Sequence, residues 1–217
     1  MRIRWLSALL AVCALAACSG RGGFFRAYEY EEEMYLALDG SATLYVNTSL
    51  PALNALRGTS FDVDPSTPPD LDAVRAYFST PETQVTRVTS SQRSGRRFVH
   101  VRMDVPRVER LRHAAPFSWS RQSFERQGDL FAYKQEVGAA SRAAGQAAPW
   151  AGDEVVAFRL HLPSRIVYHN AGPGNPRRGN ILVWEQALSE RLRGEPVMLD
   201  ARMATESILY RTLALFG

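Results

Sequence analysis

Residues 28–50 read YEYEEEMYLALDGSATLYVNTSL, and the period of two in this stretch decides the fold class. Met34, Leu36 and Leu38 fall on one face of an extended chain and Glu29, Glu31 and Glu33 on the other, the pattern of a strand that buries one side. Asp39-Gly40 supplies a positive-φ turn, and Ala42, Leu44 and Val46 carry the apolar face onto a returning strand, so the stretch predicts a β-hairpin. The same pattern recurs downstream. In TQVTRVTSSQRSGRRFVHVRMDV, residues 83–105, Ser94-Gly95 separates two alternating runs, and Val99, Val101, Met103 and Val105 share a face. SWSRQSFERQGDLFAYKQEV, residues 118–137, turns at Gln127-Gly128-Asp129 with Phe131, Tyr133 and Val137 inward.

Short helices are predicted between the hairpins. LPALNALRG (50–58) has Pro51 early and Gly58 at its end, DLDAVRAYF (70–78) offers Asp70 as cap and Leu71, Val74 and Phe78 as a stripe, and RVERLRHAA (107–115) ends before Pro116. Hairpins interrupted by helices of two or three turns predict an α+β body: a mainly antiparallel sheet built from hairpins, with a few short helices packed on it. In the C-terminal third, Val156, Phe158, Leu160 and Leu162 form a face that Pro163 interrupts, and Asn170 to Gly179 is a Gly/Pro-rich turn. Ile181 to Glu185 is a strand, Ser189 to Gly194 a helical turn, and Val197, Leu199, Ala201 and Met203 line the last strand. The small-residue run GAASRAAGQAAPWAG, residues 138–152, reads as a loop and as the place where two subdomains would meet.

The start of the chain has a different character. Met1 to Arg4 is basic, Trp5 to Leu15 is apolar or small, and Ala16-Ala17 precede Cys18, the three-part layout of a secretory signal. The apolar run covers about a dozen residues, too few for a membrane span, which takes roughly twenty. Leu15-Ala16-Ala17-Cys18 resembles the lipobox of bacterial lipoproteins, which implies a diacylglyceryl thioether on Cys18, cleavage after Ala17 and loss of Cys13. Two or three acyl chains make a durable anchor, each buried methylene adding roughly 0.8 kcal/mol. The expected division is a signal peptide at 1–17, a flexible tether at 18–23, the α+β body at 24–204 and an apolar C-terminal helix at 205–217. That tail, ESILYRTLALFG, would pack on the body or touch the membrane.

A second resemblance sits in the C-terminal third. The run Leu162-Pro163-Ser164-Arg165-Ile166-Val167-Tyr168-His169-Asn170-Ala171, then Gly179-Asn180-Ile181-Leu182-Val183-Trp184-Glu185, then Gly194-Glu195-Pro196-Val197-Met198-Leu199, resembles the strand, Asn-Gly-type loop, GNxxxW strand and terminal strand of LppM-like domains of bacterial lipoproteins. Asn170-Ala171 stands where the family has Asn-Gly, and the loop is longer. The resemblance implies structural motif residues, no catalytic residue to carry over, and contact with envelope lipid or glycolipid.

Composition narrows the function classes. Removing residues 1–17 takes away two arginines and no acid, so the formal charge falls from +4 to +2. A near-neutral, exported body makes nucleic acid an unexpected partner. Lipidation of Cys18 would leave no free thiol for a disulfide or a cysteine metal site. Glu29, Glu31, Glu32 and Glu33 could face a hard cation, but the strand lacks the loop carbonyls of a calcium site, and pairing with arginines such as Arg102 or Arg202 is the expectation. No metal or cofactor is predicted.

His100, His113, His161 and His169 show no metal-ligand spacing, and no GxSxG is present. His100, Arg102 and Asp104 share an outward face, which would form a polar patch with Arg159 and His161 were their strands neighbours. GPGNPRRG, residues 172–179, could cradle an anion such as a lipid phosphate, but reads as a hairpin loop. Asn47-Thr48-Ser49 matches a glycosylation triplet by accident in a bacterial lipoprotein.

The expected function is therefore a lipid-anchored envelope protein without catalysis. It would lie on the periplasmic side of the outer membrane, with the inner membrane as alternative, and bind envelope lipid, glycolipid or a protein partner. An envelope enzyme assembled from dispersed His, Asp, Glu and Arg residues is the alternative. A histidine at 100, 161 or 169 within hydrogen-bond reach of a carboxylate in a cleft would favour it.

Overall fold

The computed structural model describes residues 28–140, 150–176 and 179–208. The opening hairpin forms as expected: β1 (Tyr30–Leu36) pairs antiparallel with β2 (Ala42–Ser49), Leu36 opposite Ala42, around Gly40 at φ +82°. The second hairpin joins β3 (Gln84–Arg93) to β4 (Arg96–Val105) through Ser94 and Gly95, both at positive φ. β5 (Ser120–Gln127) and β6 (Leu130–Val137) make the third. β7 (Val155–His161), β8 (Ser164–His169), β9 (Ile181–Ala187) and β10 (Val197–Ser207) complete the strands.

These strands form two sheets. One has six strands in the order β3-β4-β2-β1-β7-β9, and the other has four in the order β5-β6-β10-β8. Every pairing is antiparallel except β1 with β7, whose crossover takes in all the elements between them. Leu162-Pro163 is where the chain leaves the larger sheet and enters the smaller, which is the physical effect of a residue that cannot donate to a ladder. Because β7 docks on β1, residues on either side of 138–152 share a sheet, and that loop does not divide the body into two subdomains.

Apolar side chains from both sheets and the helices make one core. Leu44, Val101, Met103, Phe158 and Leu160 come from the larger sheet, Tyr133, Leu199 and Met203 from the smaller. Helix α1 (Leu50–Arg57) adds Leu53 and Leu56, and α2 (Leu71–Phe78) adds Val74 and Phe78. Ser49 caps α1 by accepting from the Ala52 N–H, and Gly58 ends it in the left-handed region at φ +70°. Asp70 caps α2 through bonds from the Asp72 and Ala73 N–H groups at 3.1 and 2.9 Å. Asp70→Ala is expected to cost about 1 kcal/mol, read as a lowered midpoint of urea unfolding.

Two expectations need correction. Residues 108–113 form a 3-10 helix rather than an α-helix, because a second 3-10 turn containing Pro116 follows at once and leaves no room to propagate i→i+4 bonds. The last strand also runs past residue 204 as far as Ser207, which pairs with Ser164 after a break in register. Residues 205–207 thus belong to the sheet rather than to the expected C-terminal helix, and Ile208, the last described residue, is helical; residues 209–217 of the tail lie outside the described residues. Ser189–Gly194 is a helical turn as expected, α3 (Leu188–Arg193), closed by Gly194 at φ +87°.

Candidate functional site: the outer face of the six-stranded sheet

The larger sheet packs one face on the core and leaves the other to a polar row that runs across its strands. His100 on β4 is the register partner of Asn47 on β2, and Asn47 that of Glu31 on β1. Side chains at such positions stand close enough to bond. Ser91 Oγ on β3 lies 2.8 Å from His100 Nε2, and His100 Nδ1 lies 3.0 Å from Asn47 Oδ1. Asn47 Nδ2 donates to Glu31 Oε2 at 3.1 Å, and Arg159 Nη2 on β7 sits 2.8 Å from Glu31 Oε1. Side chains from five neighbouring strands are thus linked.

A second group adjoins it. Glu33 Oε1 is 2.7 Å from His161 Nε2 and 3.7 Å from Arg159 Nη1, and it accepts from the Tyr35 hydroxyl at 3.2 Å. The Tyr35 and His161 rings stack with centroids 3.9 Å apart, and Tyr35 meets Tyr45 edge-on at 5.6 Å. At the end of the sheet where β1 begins, Arg96 bridges Glu29 at 2.9 Å and Glu154 at 3.1 Å.

The electrostatics differ along this face. The hydrogen bond from His161, helped by Arg159, holds the Glu33 carboxyl below its ordinary value. Burial pushes Glu31 up in spite of Arg159 and Asn47. Burial and the nearby positive charge of Arg93 push His100 down, so its ring is neutral at pH 7. With the Asn47 amide nitrogen committed to Glu31, its oxygen faces His100; Nδ1 then carries the proton, and Nε2 presents a lone pair to Ser91.

Glu32 points the other way. With the parity of Tyr30 and Met34 it lies in the core, where it accepts from the Tyr30 hydroxyl at 2.7 Å. Tyr133, also buried, donates to Gln135 Oε1 at 2.7 Å on the facing sheet. Burial raises the Glu32 carboxyl against the pull of Tyr30 and Arg57. The guanidinium of Arg57 lies 4.4 Å from the Trp119 ring centre, and that of Arg191 lies 5.3 Å from it.

The acidic cluster therefore splits, and its partners are not the expected ones. Arg102 lies on β4, one strand beyond β1's neighbour, and sits over Tyr45; Arg202 lies in the other sheet, over Tyr168. Arg96 and Arg159 pair with the outward acids instead, and His161 lies within hydrogen-bond distance of Glu33. Among the described residues no group of three or more His, Cys, Asp or Glu converges as metal ligands would.

The patch expected from His100, Arg102, Asp104, Arg159 and His161 is only partly assembled. β4 and β7 are not neighbours; β2 and β1 lie between them. His100 reaches Arg159 only through Asn47 and Glu31, while Asp104 faces Thr43 at 3.3 Å. His169 belongs to the smaller sheet, and His113 lies in the 3-10 segment beside Arg112. Asn47, Ser91 and Tyr35 were not predicted as members of the site; the period-two parity of their strands was the signal that placed them outward. Cys18 and the segments expected to be a signal peptide (1–17) and a tether (18–23) lie outside the described residues, as do Arg177 and Arg178 of the Gly/Pro-rich loop. Among the described residues no helix is long and apolar enough to cross a membrane.

No protein-family model and no curated protein matches the chain. Among solved structures it is similar to the folded domain of the Mycobacterium tuberculosis LppM protein, at 14% identity and a TM-score of 0.44, over 85% of this chain and 95% of that one.

Proposed function

We propose that this chain is a lipid-anchored envelope protein, held through Cys18, whose body engages an envelope lipid, glycolipid or protein on the periplasmic side of a membrane, the outer one where two exist. The observation that carries it is the sequence Leu15-Ala16-Ala17-Cys18 behind a basic and then apolar leader. Only eleven residues separate Cys18 from the first strand at Tyr30, a reach of about 40 Å when fully extended. The body so tethered would work close to the lipid surface, with Val167 and Tyr168 of β8 and Met198 of β10 as exposed apolar contacts. Metabolic labelling with a palmitate analogue, followed by membrane fractionation, tests the anchor. The native chain takes up label and pellets with membranes, and Cys18→Ser loses the label and the processing. An unlabelled native protein, or a Cys18→Ser variant processed and pelleted as before, refutes the proposal.

A second reading, an enzyme of the envelope, is favoured by the 2.7 Å approach of His161 Nε2 to the Glu33 carboxylate on the exposed sheet face.

A further inference from the structure

The geometry points to a nucleophilic centre at Ser91, with His100 as general base and Asn47 as the residue that orients the imidazole, acting on small carboxylic esters. It develops the enzymatic reading through different residues and is independent of the anchor. Ser91 Oγ, His100 Nε2, His100 Nδ1 and Asn47 Oδ1 follow one another at 2.8 Å and 3.0 Å across the intervening ring, the sequence of contacts from nucleophile to base to orienting group. An asparagine fills the third position in papain-like sites, where it fixes the tautomer. Glu31, bonded to the far end of Asn47 and paired with Arg159, holds that amide in the required orientation.

The surroundings supply room and charge. Ser91 is exposed on β3, an edge strand, so its hydroxyl is open to substrate. Beside His100 lies a surface pocket of about 260 Å³ lined by Tyr28, Glu31, Asn47, Arg93, Phe98 and His100. Its apolar Phe98 ring lies 4.0 Å below the Arg93 guanidinium, which is held by a 2.7 Å bond to the Tyr28 carbonyl. This small pocket adjoins the base, and its Phe98 ring offers an apolar wall for a short acyl group. Arg93, two residues from Ser91 on the same strand face, provides positive charge for an oxyanion.

The chemistry balances with water as the only co-reactant. Ser91 Oγ bonds to the ester carbonyl carbon while its proton passes to His100 Nε2. The tetrahedral adduct collapses, the C–O bond to the alcohol breaks, and the leaving oxygen takes that proton. Water then adds to the acyl-serine, losing a proton to His100 Nε2; the acyl–Oγ bond breaks, Oγ takes that proton back from His100, and the acid is released with Ser91 and His100 restored.

The test uses the full chain purified in detergent, a fluorophosphonate probe, and p-nitrophenyl acetate and butyrate as esters. Peptide mass analysis is expected to find the probe on Ser91 and on no other serine. The wild type should hydrolyse the acetate at least about 100-fold faster than Ser91→Ala, a change at an exposed position that leaves the circular-dichroism spectrum unaltered. His100→Gln should abolish both labelling and turnover. Asn47→Ala should lower kcat and move the rise of rate with pH, which a purely structural role would not do. Absence of an adduct on Ser91, or a wild-type rate equal to that of Ser91→Ala, overturns the proposal.

Discussion

Replacing Arg191 by methionine is expected to lower the free energy of unfolding by about 3 kcal/mol or more. Arg191 projects from α3 into the seam between the two sheets and has no exposed surface. Its Nη1 donates to the Glu195 carbonyl at 2.6 Å and to Gln186 Oε1 at 3.3 Å, and its Nη2 donates to the Gly138 carbonyl. Methionine fills the aliphatic volume but returns none of these donors. Each acceptor left buried without a partner costs about 1–3 kcal/mol, and two backbone carbonyls are affected at once. Urea unfolding followed by Trp fluorescence should show a lower midpoint at an unchanged slope. The neighbouring Arg193 pairs with Glu195 at the surface, so Arg193→Ala should stay within about 0.5 kcal/mol of wild type. Equal losses for the two variants would show that the buried guanidinium bonds do not hold the seam.

The second large effect concerns Glu32 and pH. A carboxyl whose folded-state value is raised binds its proton more tightly in the native state than in the unfolded chain. Ionising it therefore costs stability as pH climbs from the ordinary value of 4.5 through the raised one, and no such cost exists below 4.5. Glu32→Gln keeps an acceptor for the Tyr30 hydroxyl and cannot ionise. The variant should unfold at higher urea than wild type at pH 7.5, and the gap should close at pH 4. Glu33, held low by His161, works in the opposite sense: its contribution is present above its ordinary value of 4.5 and fades as pH falls through its lowered one. A Glu32→Gln variant less stable than wild type at pH 7.5 would mean that the buried charge is compensated by Arg57 and Arg191.

The two carboxylates also show how far the sequence could be read. Alternation along residues 28–50 locates β1 and β2 with their turn at Asp39-Gly40, and Ser94-Gly95 locates the turn between β3 and β4, because backbone sign and side-chain period are local properties. Glu32 reads as part of an acidic cluster, although its own parity puts it among Tyr30 and Met34. A buried acid runs against the usual partition of polar groups, and only the facing sheet supplies its reason. The identity of the arginine partners was not legible either. It depends on which strands become neighbours, and the parallel docking of β7 on β1 leaves no mark in either segment. Asn47 illustrates the same limit, since its importance comes from His100 on one side and Glu31 on the other, both distant in the chain.

That parallel pair carries a consequence for how the molecule is made. Tyr30 finds Val156 and Tyr35 finds His161, so the central seam of the larger sheet joins two segments more than a hundred residues apart in the chain. Contacts of such long range slow folding, since the loop they close must lose its freedom before any pairing is gained. A nascent chain halted after the third hairpin would present the open edge of β1 as a sticky template for other polypeptides. The larger sheet therefore stays incomplete, with β1 unpaired on one side, until residues 155–161 are available to dock.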